Sequence, residues 1–87
     1  MKIIAVDYDD TYSADEELFE LFIQTAKGRG HIVVIVTYRN EKTHPINNLN
    51  HEVFYTNGTP KSEYMKNQGL EVDIWIDDWP ELIGLTR

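Results

Sequence analysis

Apolar and polar positions fall in blocks along this chain, and the blocks predict its elements. Ile3-Ile4-Ala5-Val6 is a short continuous apolar run, the pattern of a strand buried inside a sheet, and it predicts a first strand over Lys2 to Asp7. From Asp15 to about Lys27 the period changes to that of a helix. Leu18, Leu21, Phe22 and Ala26 share one face, and Phe19 and Ile23 widen it. Ser13-Ala14-Asp15-Glu16 has the spacing of a capping box, which predicts Ser13 as the N-cap with Glu16 reaching back. Asp15, Glu16 and Glu17 in the first turn and Lys27 in the last suit the helix dipole, and Gly28 and Gly30 end the helix.

The stretch His31 to Thr37 is the clearest strand, because its consecutive aliphatic residues, mostly β-branched, suit a strand covered on both faces in a parallel sheet. Strand, helix and strand make a right-handed βαβ unit, so strands one and two should be neighbours, with Thr37 at the same edge as Asp7. Tyr38 to Asn50 is polar and reads as a loop, and Glu52 to Tyr55 as a short third strand. Asn57-Gly58-Thr59-Pro60 is a turn, after which Thr59 as N-cap and Pro60 at the first helical position predict a helix to about Gln68, closed by Gly69. Val72 to Ile76 is a fourth strand and Pro80 to Leu85 a short last helix. The order β-α-β-β-α-β-α predicts an α/β fold, a small sheet with helices on its faces, in a single domain over residues 1–87.

Composition narrows this picture only a little. No apolar run is long enough to span a membrane, and Asp7, Asp9 and Asp10 interrupt any signal-peptide core. The chain has no cysteine, which excludes disulfides and thiolate chemistry and fits a cytoplasmic location. A net charge of −7 argues against broad nucleic-acid binding, which needs basic patches. Five of the 15 acids stand in two clusters, however, and a divalent ion between them would remove part of that excess.

Those clusters carry the candidate chemistry. Asp7, Asp9 and Asp10 follow the first strand, Thr37 ends the second, and Asp77 and Asp78 follow the fourth. Lys61 opens the preceding helix, with Lys66 as its competitor. In an open parallel sheet all of these reach the carboxyl edge, where ligands bind. Like-charge repulsion among the acids costs stability unless a cation or protons neutralise them. Mg²⁺ prefers a few carboxylates together with water and phosphate oxygens. Phosphoryl transfer rests on positioning and charge neutralisation, and Asp is an accepted nucleophile for it through an aspartyl-phosphate.

Asp7-Tyr8-Asp9-Asp10-Thr11 after an apolar strand resembles the Asp-x-Asp-x-Thr motif of the haloacid dehalogenase (HAD) superfamily. The run ending in Thr37 resembles its second motif, Lys61 its third and the strand ending in Asp77-Asp78 its fourth, in the family's order and over almost the whole chain. The resemblance implies a small three-layer Rossmann-like fold with a mostly parallel sheet of about four strands. It implies Asp7 as nucleophile and Mg²⁺ ligand, and Asp9 as acid and base, with its backbone carbonyl on the metal. Thr37 and Lys61 would hold the phosphoryl group. Asp77 would bind the metal, with Asp78 assisting directly or through water. Thr11 would steady the loop, and Asp10 occupies a variable place in the motif.

Two departures from the family pattern are visible. Only Tyr12 to Ala14 separate the first motif from the helix, which leaves no room for a full flap, and the Tyr38 to Asn50 loop is too short for a cap domain. The expectation is therefore a minimal, capless, Mg²⁺-dependent phosphomonoester hydrolase acting on a small phosphorylated molecule, a nucleotide among the candidates. The alternative is a non-catalytic protein of the same type that holds such a ligand. A partner subunit is one way to roof so open a site, so a homo-oligomer stays among the expectations. Arg39, Lys42 and His44 in the overhanging loop suggest polar or anionic groups on the ligand.

Overall fold

The computed structural model describes residues 1–84. It contains four strands, β1 (Ile3–Val6), β2 (Ile32–Thr37), β3 (Val53–Tyr55) and β4 (Ile74–Ile76), and two α-helices, α1 (Glu16–Gly28) and α2 (Lys61–Asn67). Short 3₁₀ turns occupy Tyr12–Ala14 and Pro80–Leu82. The strands form one sheet in the order β3-β2-β1-β4, and every pairing is parallel. Strands one and two are neighbours as predicted, Val6 lying against Ile35.

The sheet carries one helix on each face, as the alternation of its side chains requires. Ile4, Val6, Val33 and Ile35 point to the α1 side and pack with Ile23, Ala26 and Tyr12. Ala5, Val34 and Val36 point the other way, onto Met65 of α2. The aliphatic run of β2 from Val33 to Val36 is thus explained, since both faces of the strand are covered there, whereas Ile32 at its start is exposed.

Several local expectations need correction. The N-cap of α1 is Asp15, whose carboxylate accepts the Leu18 N–H at 3.1 Å. Ser13 lies in the 3₁₀ turn, where its hydroxyl accepts the Asp10 N–H at 3.0 Å. The extra 3₁₀ turn after the acid loop displaces the helix start past Ser13, so that Asp15, expected in the first turn, becomes the cap. The buried face also differs from the predicted one. Ile23 and Ala26 are its centre and Phe19 and Phe22 its flanks, whereas Leu18 and Leu21 are 55% and 66% exposed. Helix α2 has no side-chain cap from Thr59, and Pro60 is its N-cap residue. All four strands are shorter than predicted, the second by His31 alone, and the last element is a single 3₁₀ turn. Leu85, the predicted end of that element, lies outside the described residues.

Gly84 anchors the chain after β4. Its φ is +73°, and a Cβ there would stand 2.7 Å from Pro60 Cβ, so only glycine fits. The preceding Ile83 carbonyl accepts the Ser62 N–H at 2.9 Å, which ties this segment to the start of α2. Behind α1, Tyr12 and His51 both reach Glu20. The Tyr12 hydroxyl donates to its carboxylate at 2.5 Å, and His51 Nε2 lies 2.5 Å from the same oxygen. Burial and the neighbouring carboxylate push the Tyr12 phenol up, and the two hydrogen bonds hold the Glu20 carboxyl below its usual range. Among the described residues no helix is long and apolar enough to cross a membrane.

Candidate active site

With all four strands parallel, their carboxyl ends share one edge. The chain leaves β1 toward β2 and β3 on one side, then crosses back to β4 on the other, so β1 and β4 flank a topological switch point. That is where ligands bind in open α/β sheets. Asp7 and Asp77 follow those two strands directly, and the Asp7 N–H donates to the Ile76 carbonyl at 2.9 Å, which carries the pairing to the end of β1.

The loop after β1 folds tightly back on itself. The Tyr12 N–H donates to the Asp7 carbonyl at 3.1 Å and the Ser13 N–H to the Tyr8 carbonyl at 2.9 Å. Asp10 takes a φ of 59°, a left-handed conformation that Asp tolerates at a single position. Thr11 is thereby aimed inward. Its hydroxyl donates to Asp7 Oδ2 at 3.0 Å and lies 3.2 Å from Asp78 Oδ1, and it accepts the Asp78 N–H at 3.3 Å. One hydroxyl thus braces the two acid clusters against each other.

Lys61 is the centre of the charge arrangement. Its side chain is 1% exposed, and Nζ donates to Asp7 Oδ1 at 2.7 Å and to Asp77 Oδ2 at 2.6 Å. A buried ammonium is stable only when paired, and here two carboxylates pair it. Lys66, a turn and a half along, is exposed and lines a separate depression with Met65 and Trp75, so α2 delivers Lys61 alone to this cluster. Burial pushes the Asp7 carboxyl up to about 6, against the opposing pull of the Lys61 ammonium.

Carboxylate oxygens of Asp7, Asp77 and Asp78 lie within 4.8 Å of one another. These hard oxygen donors suit Mg²⁺, which needs few protein ligands. Lys61 takes one oxygen of Asp7 and one of Asp77. The remaining two accept from the Thr11 hydroxyl and, at 2.9 Å, from the Trp79 N–H, which orients them. Asp9, expected as a metal residue, is not part of this carboxylate cluster, although its carbonyl sits in the same loop.

The Asp9 side chain is engaged elsewhere. Arg39 grips it in a bidentate pair, with Nη2 at 2.6 Å from Oδ1 and Nε at 2.9 Å from Oδ2. The same guanidinium donates to the His44 and Pro45 carbonyls and lies 5.1 Å above the Tyr8 ring. Arg39 therefore joins the Tyr38–Asn50 loop to the acid motif. Sequence reasoning placed Arg39 only as a loop cation. The loop's fold, with Asn57 and Gly58 N–H groups donating back to the Arg39 and Tyr38 carbonyls, is what delivers it.

Thr37 also departs from expectation. Its side chain is fully buried at the end of β2, and its hydroxyl accepts the Arg39 N–H at 3.2 Å. A cavity of about 220 Å³ opens beside these residues, lined by Asp7, Asp9, Asp10, Tyr38, Asp77, Asp78, Trp79 and Leu82. Thr37 and Lys61 stand behind that lining. No family model, no curated protein and no solved structure matches the chain in comparisons of sequence and fold.

Proposed function

We propose that this protein is a Mg²⁺-dependent phosphomonoester hydrolase of the capless HAD type, with Asp7 as nucleophile. The observation that carries the reading is the setting of Asp7. It stands at the end of the central strand β1, with one oxygen on the Lys61 ammonium and the other on the Thr11 hydroxyl, facing Asp77 and Asp78. Asp7, Asp77 and Asp78 would hold the Mg²⁺, with the carbonyl of Asp9. Bound there, the ion would neutralise phosphoryl charge as it develops.

The chain's own residues account for the rest of the reaction. An Asp7 oxygen attacks phosphorus, the ester oxygen leaves, and an aspartyl-phosphate remains on Asp7. Lys61 and Thr11 fix the carboxylate so that little reorganisation is needed. Asp9 gives a proton to the leaving oxygen, and its carboxylate then takes one from the water that cleaves the acyl phosphate. Arg39 must loosen its grip for the first of these steps, because both Asp9 oxygens accept from its guanidinium.

That same contact favours the second reading, a non-catalytic protein of this type that binds a phosphorylated ligand. In it the Arg39–Asp9 pair is a permanent strut and Asp9 transfers no proton. Phosphate release from a panel of monoesters, with and without Mg²⁺, separates the two. The hydrolase reading expects release that requires Mg²⁺ and is lost in Asp7→Asn. Tight calorimetric binding of a panel member without release would establish the second.

A further inference from the structure

Among the described residues, two aromatic side chains that line the acidic cavity pack into neither core. Trp79 is 58% exposed and Tyr38 is 37% exposed, and neither belongs to the cores on the two faces of the sheet. Both line the cavity that also contains Asp7. Their backbones, unlike their rings, are fixed. The Trp79 N–H is held by Asp77 at 2.9 Å, and the Tyr38 carbonyl accepts the Gly58 N–H at 3.2 Å. Two apolar rings left in water beside a polar pocket, on braced backbone, are pre-organised for a ligand group that buries them.

We propose that Tyr38 and Trp79 form a stacking rim that selects phosphomonoesters whose leaving group carries an uncharged planar aromatic ring. The inference rests on the phosphomonoester reading of the cavity and adds its substrate class. Three features point to that class. First, the cavity is small, about 220 Å³, so a ligand whose phosphoryl group reaches Asp7 must extend past the rim. Second, Trp and Tyr present flat π-faces, and stacking suits any planar ring without needing a particular hydrogen-bond pattern. Third, the cavity is lined by five carboxylates on a chain of net charge −7. Beyond the one phosphoryl group, further anionic groups would be repelled, which disfavours polyphosphates and long nucleic-acid strands. A neutral ring meets no such penalty. With no room for a full flap or cap in the Tyr12–Ala14 and Tyr38–Asn50 segments, these rings and Leu82 are the apolar side chains that line the cavity and can meet the leaving group.

The test compares kcat/KM, with Mg²⁺ present, for adenosine 5′-monophosphate, phenyl phosphate and ribose 5-phosphate. Stacking on one ring corresponds to a preference of roughly tenfold. The expected result is that at least one aromatic ester exceeds ribose 5-phosphate by about this factor. The preference collapses toward unity in Trp79→Ala, falls in Tyr38→Ala and is retained in Trp79→Phe. Which aromatic ester is favoured tells a nucleotide from a simple aryl leaving group. No preference in the wild type, or one that survives both alanine variants, overturns the inference while leaving the hydrolase reading intact. If none of the three esters is hydrolysed, calorimetry with adenosine 5′-monophosphate against ribose 5-phosphate decides the point. Tighter binding of the nucleotide that is lost in Trp79→Ala supports the rim, and equal or absent binding overturns it.

Discussion

Lys61 shows what a single residue does for this site. Its ammonium holds apart two carboxylates that would otherwise face each other in a buried position, at 2.7 and 2.6 Å. Removing one partner of a buried ion pair costs about 3–5 kcal/mol, so Lys61→Met should lower the urea-unfolding free energy by that order. Mg²⁺ should restore part of the loss in the variant, since a divalent ion neutralises the same acids. Asp7 gives a pH dependence whose sign follows from its burial. Its carboxyl is raised from 3.8 to about 6 in the folded chain, so between these values the native state binds more protons than the unfolded one. The contribution of Asp7 to stability is therefore most favourable at low pH and declines as pH rises from about 4 to about 6, after which the penalty is fully present. Unfolding free energies measured across that window should differ in slope between wild type and Asp7→Asn, with the variant lacking the decline. Equal slopes would show that the Asp7 carboxyl is not raised.

At the scale of elements, the strands were more legible than the helix boundaries. The runs Ile3–Val6 and Ile32–Thr37 have one reading, a parallel strand covered on both sides, and the sheet bears it out. The start of α1 was misplaced, with Ser13 expected as the cap and Asp15 in the first turn, because the 3₁₀ turn at Tyr12–Ala14, held by the packing of Tyr12 in the core, has no periodic signal. The cap predicts its own check: Asp15→Ala should cost about 1 kcal/mol of stability. Ser13→Ala, which removes only a loop hydrogen bond, should cost less in the same denaturation series. The buried face of α1 is tested by Ile23→Ala and Leu21→Ala. The first empties a fully buried position and should cost about 2–5 kcal/mol, whereas Leu21 is exposed and its loss should be close to neutral. A reversed order would restore the face expected from periodicity alone.

For the whole molecule, parallel topology is what converts scattered sequence positions into one site. Three separate stretches of the chain, Asp7 with Thr11, Lys61, and Asp77 with Asp78, meet at the switch point between β1 and β4. This convergence could be read in advance, because apolar runs ending in acids announce strand ends at the ligand edge. The Arg39–Asp9 grip and the exposed rings of Tyr38 and Trp79 could not be, since they depend on how irregular loops fold and no periodicity encodes that. In the proposed reaction Asp7 becomes phosphorylated during turnover. The most direct measurement is intact-protein and peptide mass spectrometry on protein quenched in acid during incubation with a monoester and Mg²⁺. The expected result is one added phosphoryl group, located on the peptide containing Asp7 and absent from Asp7→Asn. Turnover that proceeds with the adduct on another residue, or that survives unchanged in Asp7→Asn, would contradict it.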